Sequence, residues 1–174
     1  MKMAPIIQSL NKNNFEVVIV HTQQHYDEYM STQIIRDLEF PNPDYALGIM
    51  GGSHAYQTGK IMISFEEICI KIKPDLVIVA GDVNSTVACA LVSAKLHIKI
   101  AHVESGLRSN DMKMPEEINR ITTDHICDIL FTTEYGYEFV SGIEKQNIVP
   151  HSMTMKKKRN NYINIHEYST LDHL

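Results

Sequence analysis

No apolar run among the 174 residues reaches the roughly 20 residues that a membrane-spanning helix requires. No basic segment followed by a short apolar stretch opens the chain, so no secretory leader is expected. Cysteine is scarce. Cys69, Cys89 and Cys127 are odd in number and widely spaced, which excludes a disulfide framework and a zinc site of ordinary spacing. They read as small core residues in a reducing cytosol. Asn84-Ser85-Thr86 fits a glycosylation sequon and, without a leader, is taken as chance. Charge of one sign is also lacking. The net value is only −5, which argues against a nucleic-acid partner. The Gly-containing loop GIMGGSHAYQTG has neither GxGxxG nor Walker spacing, so no dinucleotide or P-loop fingerprint applies. There are no internal repeats.

What remains is a chain of ordinary composition, 44% hydrophobic, and long enough for one domain with a sizeable core. Met1–Asn11 reads as a helix with Ile6, Ile7 and Leu10 on one face. Opening on a helix is unusual for an α/β fold. Glu16–Val20 (EVVIV) reads as a buried strand, and Tyr26 to Leu38 as a helix. PNPDY breaks the pattern, and a long helix ends near Ile72. Asp75–Ala80 is the next strand. The helix expected over Asn84–Leu96 is rich in small residues (Ala88, Cys89, Ala90, Ser93, Ala94) that let it lie close to a sheet.

Lys99–Val103 is another strand. Pro115 suits the first turn of a helix whose inner face is expected to carry Ile118, Ile121, Thr122, His125 and Ile126. Ile129–Thr132 is a short strand and Tyr135–Ser141 a short helix. Residues 142–174 show no period and read as an irregular tail, with Lys156–Arg159 a solvated basic run. Strands alternating with helices predict an α/β fold with a doubly wound parallel sheet over 1–141.

Chemistry gathers in two stretches, GDVNST at Gly81–Thr86 and AHVESGLRSNDMKMPEEINRITTDH at Ala101–His125. Asp82 follows one strand and Glu104 another, while Glu116 and Glu117 open a helix. Ligands of open α/β sheets sit outside the carboxyl ends of the strands, so Asp82, Glu104 and Glu116 are expected to converge on one crevice. The competing reading is that Asp82 and Glu116 only cap helices. His102-x-Glu104 has the H-x-E spacing of zinc deaminases, but no P-C-x-x-C partner follows. His21, His25, His102 and His125 lack ligand spacing. His125 is expected to face the core.

Glu116 and Glu117 stand four and three residues before Arg120, spacings that can simply stabilise a helix. Arg108, in the loop before that helix, is suited to phosphate. Free N–H groups at the helix starts near Asn84 and Pro115 add positive potential. Acids beside anion sites imply an anionic substrate that needs proton transfer.

KMAP, HTQQHY, QTGK, GDVNST, AHVESGLRS, MPEEINR and TDH occur in this order from Lys2 to about Glu134. Together they resemble the non-hydrolysing UDP-N-acetylglucosamine 2-epimerases. The resemblance implies the N-terminal half of a two-domain, glycosyltransferase-B-like fold of Rossmann-like domains, with the active site between them. It implies interconversion of UDP-N-acetylglucosamine and UDP-N-acetylmannosamine by elimination of UDP and re-addition through a 2-acetamidoglucal. No cofactor is implied. A cytoplasmic homodimer serving cell-surface polysaccharide synthesis is.

Carried over by motif, Asp82, Glu104 and Glu116 are candidate acid/base carboxylates, and Lys2 and Arg120 support catalysis. Gln24 and Gln57 match positions near nucleotide sugar, and Arg108 is a binding candidate from its position. Which acid removes the C2 proton stays open. The sequence departs from the family in lacking a first strand with a GTRPE-type loop ahead of KMAP, and a second domain. The tail after Pro150 also differs. A truncated form, inactive alone, is therefore expected. The alternative is a remnant that binds nucleotide sugar or pairs with another chain. A flavodoxin-like module is disfavoured, since no acidic cluster follows a first strand. Glu16–Val20 and Asp75–Ala80 are expected to flank the place of the absent strand, unless they pair directly or another strand fills it.

Overall fold

A computed structural model describes residues 3–22, 41–132, 148–150, 153–157 and 163–167. The element order is α1 (Ala4–Lys12), β1 (Val20–His21), β2 (Tyr45–Ala46), α2 (His54–Ile72), β3 (Leu76–Ala80), α3 (Asn84–Lys95), β4 (Lys99–Ser105), α4 (Pro115–Ile126), β5 (Ile129–Thr132), β6 (Ile148–Pro150), β7 (Met153–Lys157) and β8 (Ile163–Glu167). The helices expected over 26–38 and 135–141 fall outside the described residues.

β3, β4, β5 and β6 form one parallel sheet in that order. The β3–β4 and β4–β5 crossovers each carry a helix, α3 and α4, the usual connection between parallel strands. Val79, Ile100 and Leu130 lie on neighbouring strands and are buried against Ile61, Phe65 and Cys69 of α2 and Ala88, Cys89 and Val92 of α3. The small residues do what the composition predicts. Ala88, Ala90 and Ser93 are fully buried, and the Ser93 hydroxyl donates to Cys89 O at 2.8 Å. α2 begins on a true cap, with Ser53 Oγ accepting from Tyr56 N–H, and ends with Lys73 in the left-handed region at φ 55°. All three cysteines are free and buried. Burial pushes the Cys69 thiol up to about 11, and Cys89 and Cys127 up to about 12.

Three expectations need correction. EVVIV is not a buried strand. Only Val20 joins the pairing, with Tyr45 in the break region, and Val18 is exposed. Residues 15–19 alternate between half-buried and exposed because only one face rests on the core. β1 and β2 form their own parallel pair, and among the described residues β1 does not pair with β3.

The inner face of α4 is also different. Glu117, Asn119, Thr123 and Asp124 are buried, whereas Ile118 and His125 are exposed. His125 Nδ1 donates to Ile121 O within its own helix. This helix packs over polar strand ends, so its polar stripe faces inward and apolar periodicity misleads. The segment expected to be an irregular tail contributes β6 to the sheet and an antiparallel β7–β8 hairpin. Three residues are too few for β6 to show a period.

Leu130 is fully buried on β5, which is paired on both sides by β4 and β6. Leu130→Ala should lower stability in urea unfolding by about 2–5 kcal/mol, the range for such cavities. A loss below about 1 kcal/mol would contradict the placement of the core.

Candidate active site

The site begins where β3 stops. Gly81 turns the chain at φ 73°, donates its N–H to Val103 O at 3.0 Å, and hands on to Asp82. Its positive φ is what calls for glycine there, since a Cβ would make only an ordinary contact, 3.7 Å, with Glu104 Oε2. α3 then starts on Val83 with no side-chain cap, and α4 starts on Met114 with none. Asp82 and Glu116 therefore do not act as side-chain caps. Asp82 instead pairs through Oδ2 with the Arg120 guanidinium, and its carbonyl accepts from Asn119 Nδ2 at 2.8 Å.

On β4 the register against β5 shifts between Val103 and Ser105. Glu104 sits in that bulge at φ 68°, a left-handed conformation unusual for a residue with a Cβ. The bulge re-aims its side chain. Gly81, Asp82, Glu104, Leu107 and Arg120 line one open cleft of ≈ 230 Å³.

Behind the cleft lies a buried polar layer. His102, fully buried, donates from Nε2 to Gly81 O at 2.8 Å and from Nδ1 to Asp124 Oδ1 at 2.7 Å. The other Asp124 oxygen accepts from Gly106 N–H at 3.1 Å and Arg108 Nη1 at 2.6 Å. Burial alone would raise the Asp124 pKa, but His102 and then Arg108 outweigh it and hold it below the usual value. Seven residues earlier, on the same side of α4, buried Glu117 accepts Ser109 N–H at 2.9 Å and Asn110 N–H at 3.0 Å. It also accepts from Arg120 Nη1 at 3.0 Å. Burial again pushes upward, yet these donors hold Glu117 at about 2. Two carboxylates of one helix thus clamp the loop from Gly106 to Asn110.

Of the expected residues, Asp82, Glu104 and Arg120 meet at the cleft. Glu116 is half-buried at the start of α4 and does not line it. Arg108 is engaged with Asp124 and Leu107 O. Gln57 Oε1 accepts from Asn84 Nδ2 at 2.9 Å, tying the first turns of α2 and α3 together. Lys2 and Gln24 lie outside the described residues. Sequence reasoning did not single out Asp124 or Asn119, and treated Glu117 as a helix opener and a helix partner of Arg120, a pair that the structure contains. The one available signal was the polar stripe Glu117–Asp124 at a seven-residue spacing. Among the described residues no cluster of His, Cys, Asp or Glu could hold a metal ion, and no helix is long and apolar enough to cross a membrane.

The sequence profile of the UDP-N-acetylglucosamine 2-epimerase family matches residues 8–155. A UDP-N-acetylglucosamine 2-epimerase homolog of Methanococcus maripaludis is 56% identical over 132 residues, 76% of this chain and 37% of the relative. A UDP-2,3-diacetamido-2,3-dideoxy-D-glucuronate 2-epimerase of Pseudomonas aeruginosa is 50% identical over 122 residues, 70% of this chain and 34% of the relative. The crystal structure of Methanocaldococcus jannaschii UDP-GlcNAc 2-epimerase in complex with UDP-GlcNAc and UDP superposes with TM-score 0.83 at 49% identity. That match covers 86% of this chain and 42% of the other. The chain thus spans roughly two-fifths of the length of these proteins.

The clamp has a pH signature. An unfolded glutamate takes up its proton near 4.5, whereas folded Glu117 holds its charge down to about 2. Its contribution is therefore complete above about pH 4.5 and is lost as pH falls towards 2. Glu117→Gln leaves the loop N–H groups with a poorer acceptor, and should cost roughly 1–3 kcal/mol at neutral pH. It should also flatten the stability profile in that acid window. Urea unfolding of both proteins across the window is the measurement; parallel profiles would rule out the clamp.

Proposed function

The chain belongs to the UDP-N-acetylglucosamine 2-epimerase family, and from that premise we propose that it supplies the carboxylate wall of an active site that epimerises UDP-N-acetylglucosamine at C2. The observation that carries this reading is the meeting of Asp82 and Glu104 at one cleft, beside Arg120, from the ends of adjacent strands. Inversion at C2 needs a base on one side of the sugar and an acid on the other. Two carboxylates on separate loops can take those roles. One removes the C2 proton, the C2 electrons form the C1–C2 double bond, and the C1–oxygen bond to UDP breaks. Return of a proton to the opposite face of C2, with re-addition of UDP at C1, gives UDP-N-acetylmannosamine. The sequence is redox-neutral and draws on no cofactor.

Arg120 holds Asp82 in place from α4, and Glu117 in turn holds Arg120. The cleft is an open wall of five residues, and catalysis by enclosure needs an opposing wall. By itself the chain is therefore expected not to turn over. A second reading, epimerisation of a UDP-linked diacetamido uronic acid, draws on the Pseudomonas aeruginosa relative. The two substrates differ at C3, next to the reacting carbon, and at C6, and share the acetamido group and the proton at C2.

A chimera tests the proposal. This chain would replace the matching segment of the Methanocaldococcus jannaschii enzyme, and C2 proton loss in deuterated water would be followed by NMR for both substrates. The chimera should exchange the C2 proton. Asp82→Asn and Glu104→Gln should each slow that exchange by ~10²–10⁴-fold, the usual worth of a general acid or base. Retention of full exchange in either variant would remove that residue from the chemistry. Faster exchange with the diacetamido uronate would select the second reading.

A further inference from the structure

Buried hydroxyls elsewhere in this fold find an acceptor. On α3, Ser93 Oγ donates to Cys89 O at 2.8 Å and Thr86 Oγ1 to Ala80 O at 2.9 Å. Ser105 on β4, Thr132 on β5 and Thr123 on α4 are different. They are 2%, 2% and 0% exposed, and among the described residues their hydroxyl oxygens have no hydrogen-bond partner. Such groups are uncommon, because burial strips a hydroxyl of water and nothing then repays the loss.

The hydroxyls belong to one place. Ser105 and Thr132 are register partners on β4 and β5, so their side chains leave the sheet on the same face. Thr132 follows Leu130 by two residues and shares its face. Leu130 is the register partner of His102, whose ring meets Asp124 of α4. That face is therefore the one that α4 covers. Thr123 stands next to Asp124 among the residues that α4 buries. All three hydroxyls thus enter the layer between α4 and the carboxyl ends of β4 and β5.

Local solutions exist and are not taken. A helical threonine can donate to the carbonyl four residues back, which for Thr123 is that of Asn119. Ser105 and Thr132 could bond each other across the ladder. Their oxygens do neither. The two buried carboxylates of α4, Asp124 and Glu117, are already filled by other donors. With no anionic ligand to spare, the hydroxyls offer a cation no compensating charge. A water molecule meets the need. It both donates and accepts, and a buried water typically makes about three hydrogen bonds to such groups.

We propose that Ser105, Thr123 and Thr132 bind one ordered water molecule between β4, β5 and α4. The site has a purpose in the fold. The β4–β5 register shifts between Val103 and Ser105, and a bulge leaves the ladder locally interrupted. A water held by Ser105 rejoins the strand, one residue past Glu104, to β5 and α4. It supports the bulge from beneath, as the Asp124 and Glu117 clamp supports the loop that follows. Nothing in this argument draws on the catalytic reading.

Urea unfolding of the full chain reads the sign of each hydroxyl. Valine keeps the shape of threonine and has a similar helix propensity. Thr123→Val and Thr132→Val each take one bond from the water, and each should raise the unfolding constant by about tenfold. A dry hydroxyl behaves in the opposite way, since its removal relieves an unsatisfied group. An unfolding constant unchanged or lowered in both variants would overturn the proposal. The double variant T123V/T132V should raise the constant by less than the product of the two single effects, because both act on the same water. A full product would assign the hydroxyls to separate partners and overturn the shared site. Magnetic relaxation dispersion of the solvent counts long-lived buried waters and does not depend on stability. The parent should hold about one more than Thr123→Val; equal amplitudes would also overturn the proposal.

Discussion

The strand ends at the cleft are held by one buried contact. His102 and Asp124 are both fully shielded from water, and their side chains meet at 2.7 Å. Buried polar groups are tolerated only when their hydrogen-bonding capacity is filled. Here it is filled by backbone groups beside the cleft. The second ring nitrogen of His102 holds the Gly81 carbonyl, one residue before Asp82. The second oxygen of Asp124 holds the Gly106 N–H, two residues after Glu104. Arg108 closes the network at the solvent side. The pair therefore links the end of β3, the end of β4 and the middle of α4 in one connected set of bonds. Such a network contributes less to net stability than to fixing one arrangement.

That fixed arrangement explains how Glu104 tolerates its backbone. A non-glycine residue at positive φ costs of order 1–3 kcal/mol and persists only where its surroundings over-determine it. On one side of Glu104 is His102, immobilised at both nitrogens. On the other are Gly106, Ser109 and Asn110, whose N–H groups are held by Asp124 and Glu117. The strain is absorbed between two anchors, and its result is a carboxylate turned into the cleft rather than into the sheet. The i, i+7 spacing of Glu117 and Asp124 is what allows one helix to supply both anchors.

Much of this was legible in the sequence, and the reasons are local. β5 runs from Ile129 to Thr132 as expected, and β3 and α3 fall within one residue of their expected bounds. Apolar runs and small-residue helices report directly on a two-sided parallel core. Asp82, Glu104 and Arg120 were legible because strand ends are where such sheets place their chemistry. The inward face of α4 was not. Ile118 and Ile121 suggested an apolar stripe, but burial there is driven by charge complementarity across the strand ends, which hydrophobic periodicity does not record. The tie between Arg108 and Asp124 was not legible either. A free arginine and one committed to a buried aspartate 16 residues away look alike in one dimension. Burial of EVVIV was over-read because a run of apolar residues cannot say how many of its neighbours are present.

The placement of Asp82 poses a mechanical problem. Among the described residues β3 is an edge strand, paired only with β4. Edge strands fray more readily than central ones, so the carboxyl end of an edge is a poor platform for a fixed side chain. Four contacts of different origin compensate. Gly81 N–H reaches across to Val103 O, and His102 Nε2 returns to Gly81 O. Thr86 Oγ1 of α3 donates to Ala80 O at 2.9 Å, and Asn119 Nδ2 of α4 donates to the Asp82 carbonyl. Three consecutive carbonyls, those of Ala80, Gly81 and Asp82, are thus held by side chains from α3, β4 and α4 in turn. Among the described residues, the side chain of Asp82 is held by Arg120. The backbone is thus fixed from three elements, and the carboxylate by one ion pair at the cleft surface.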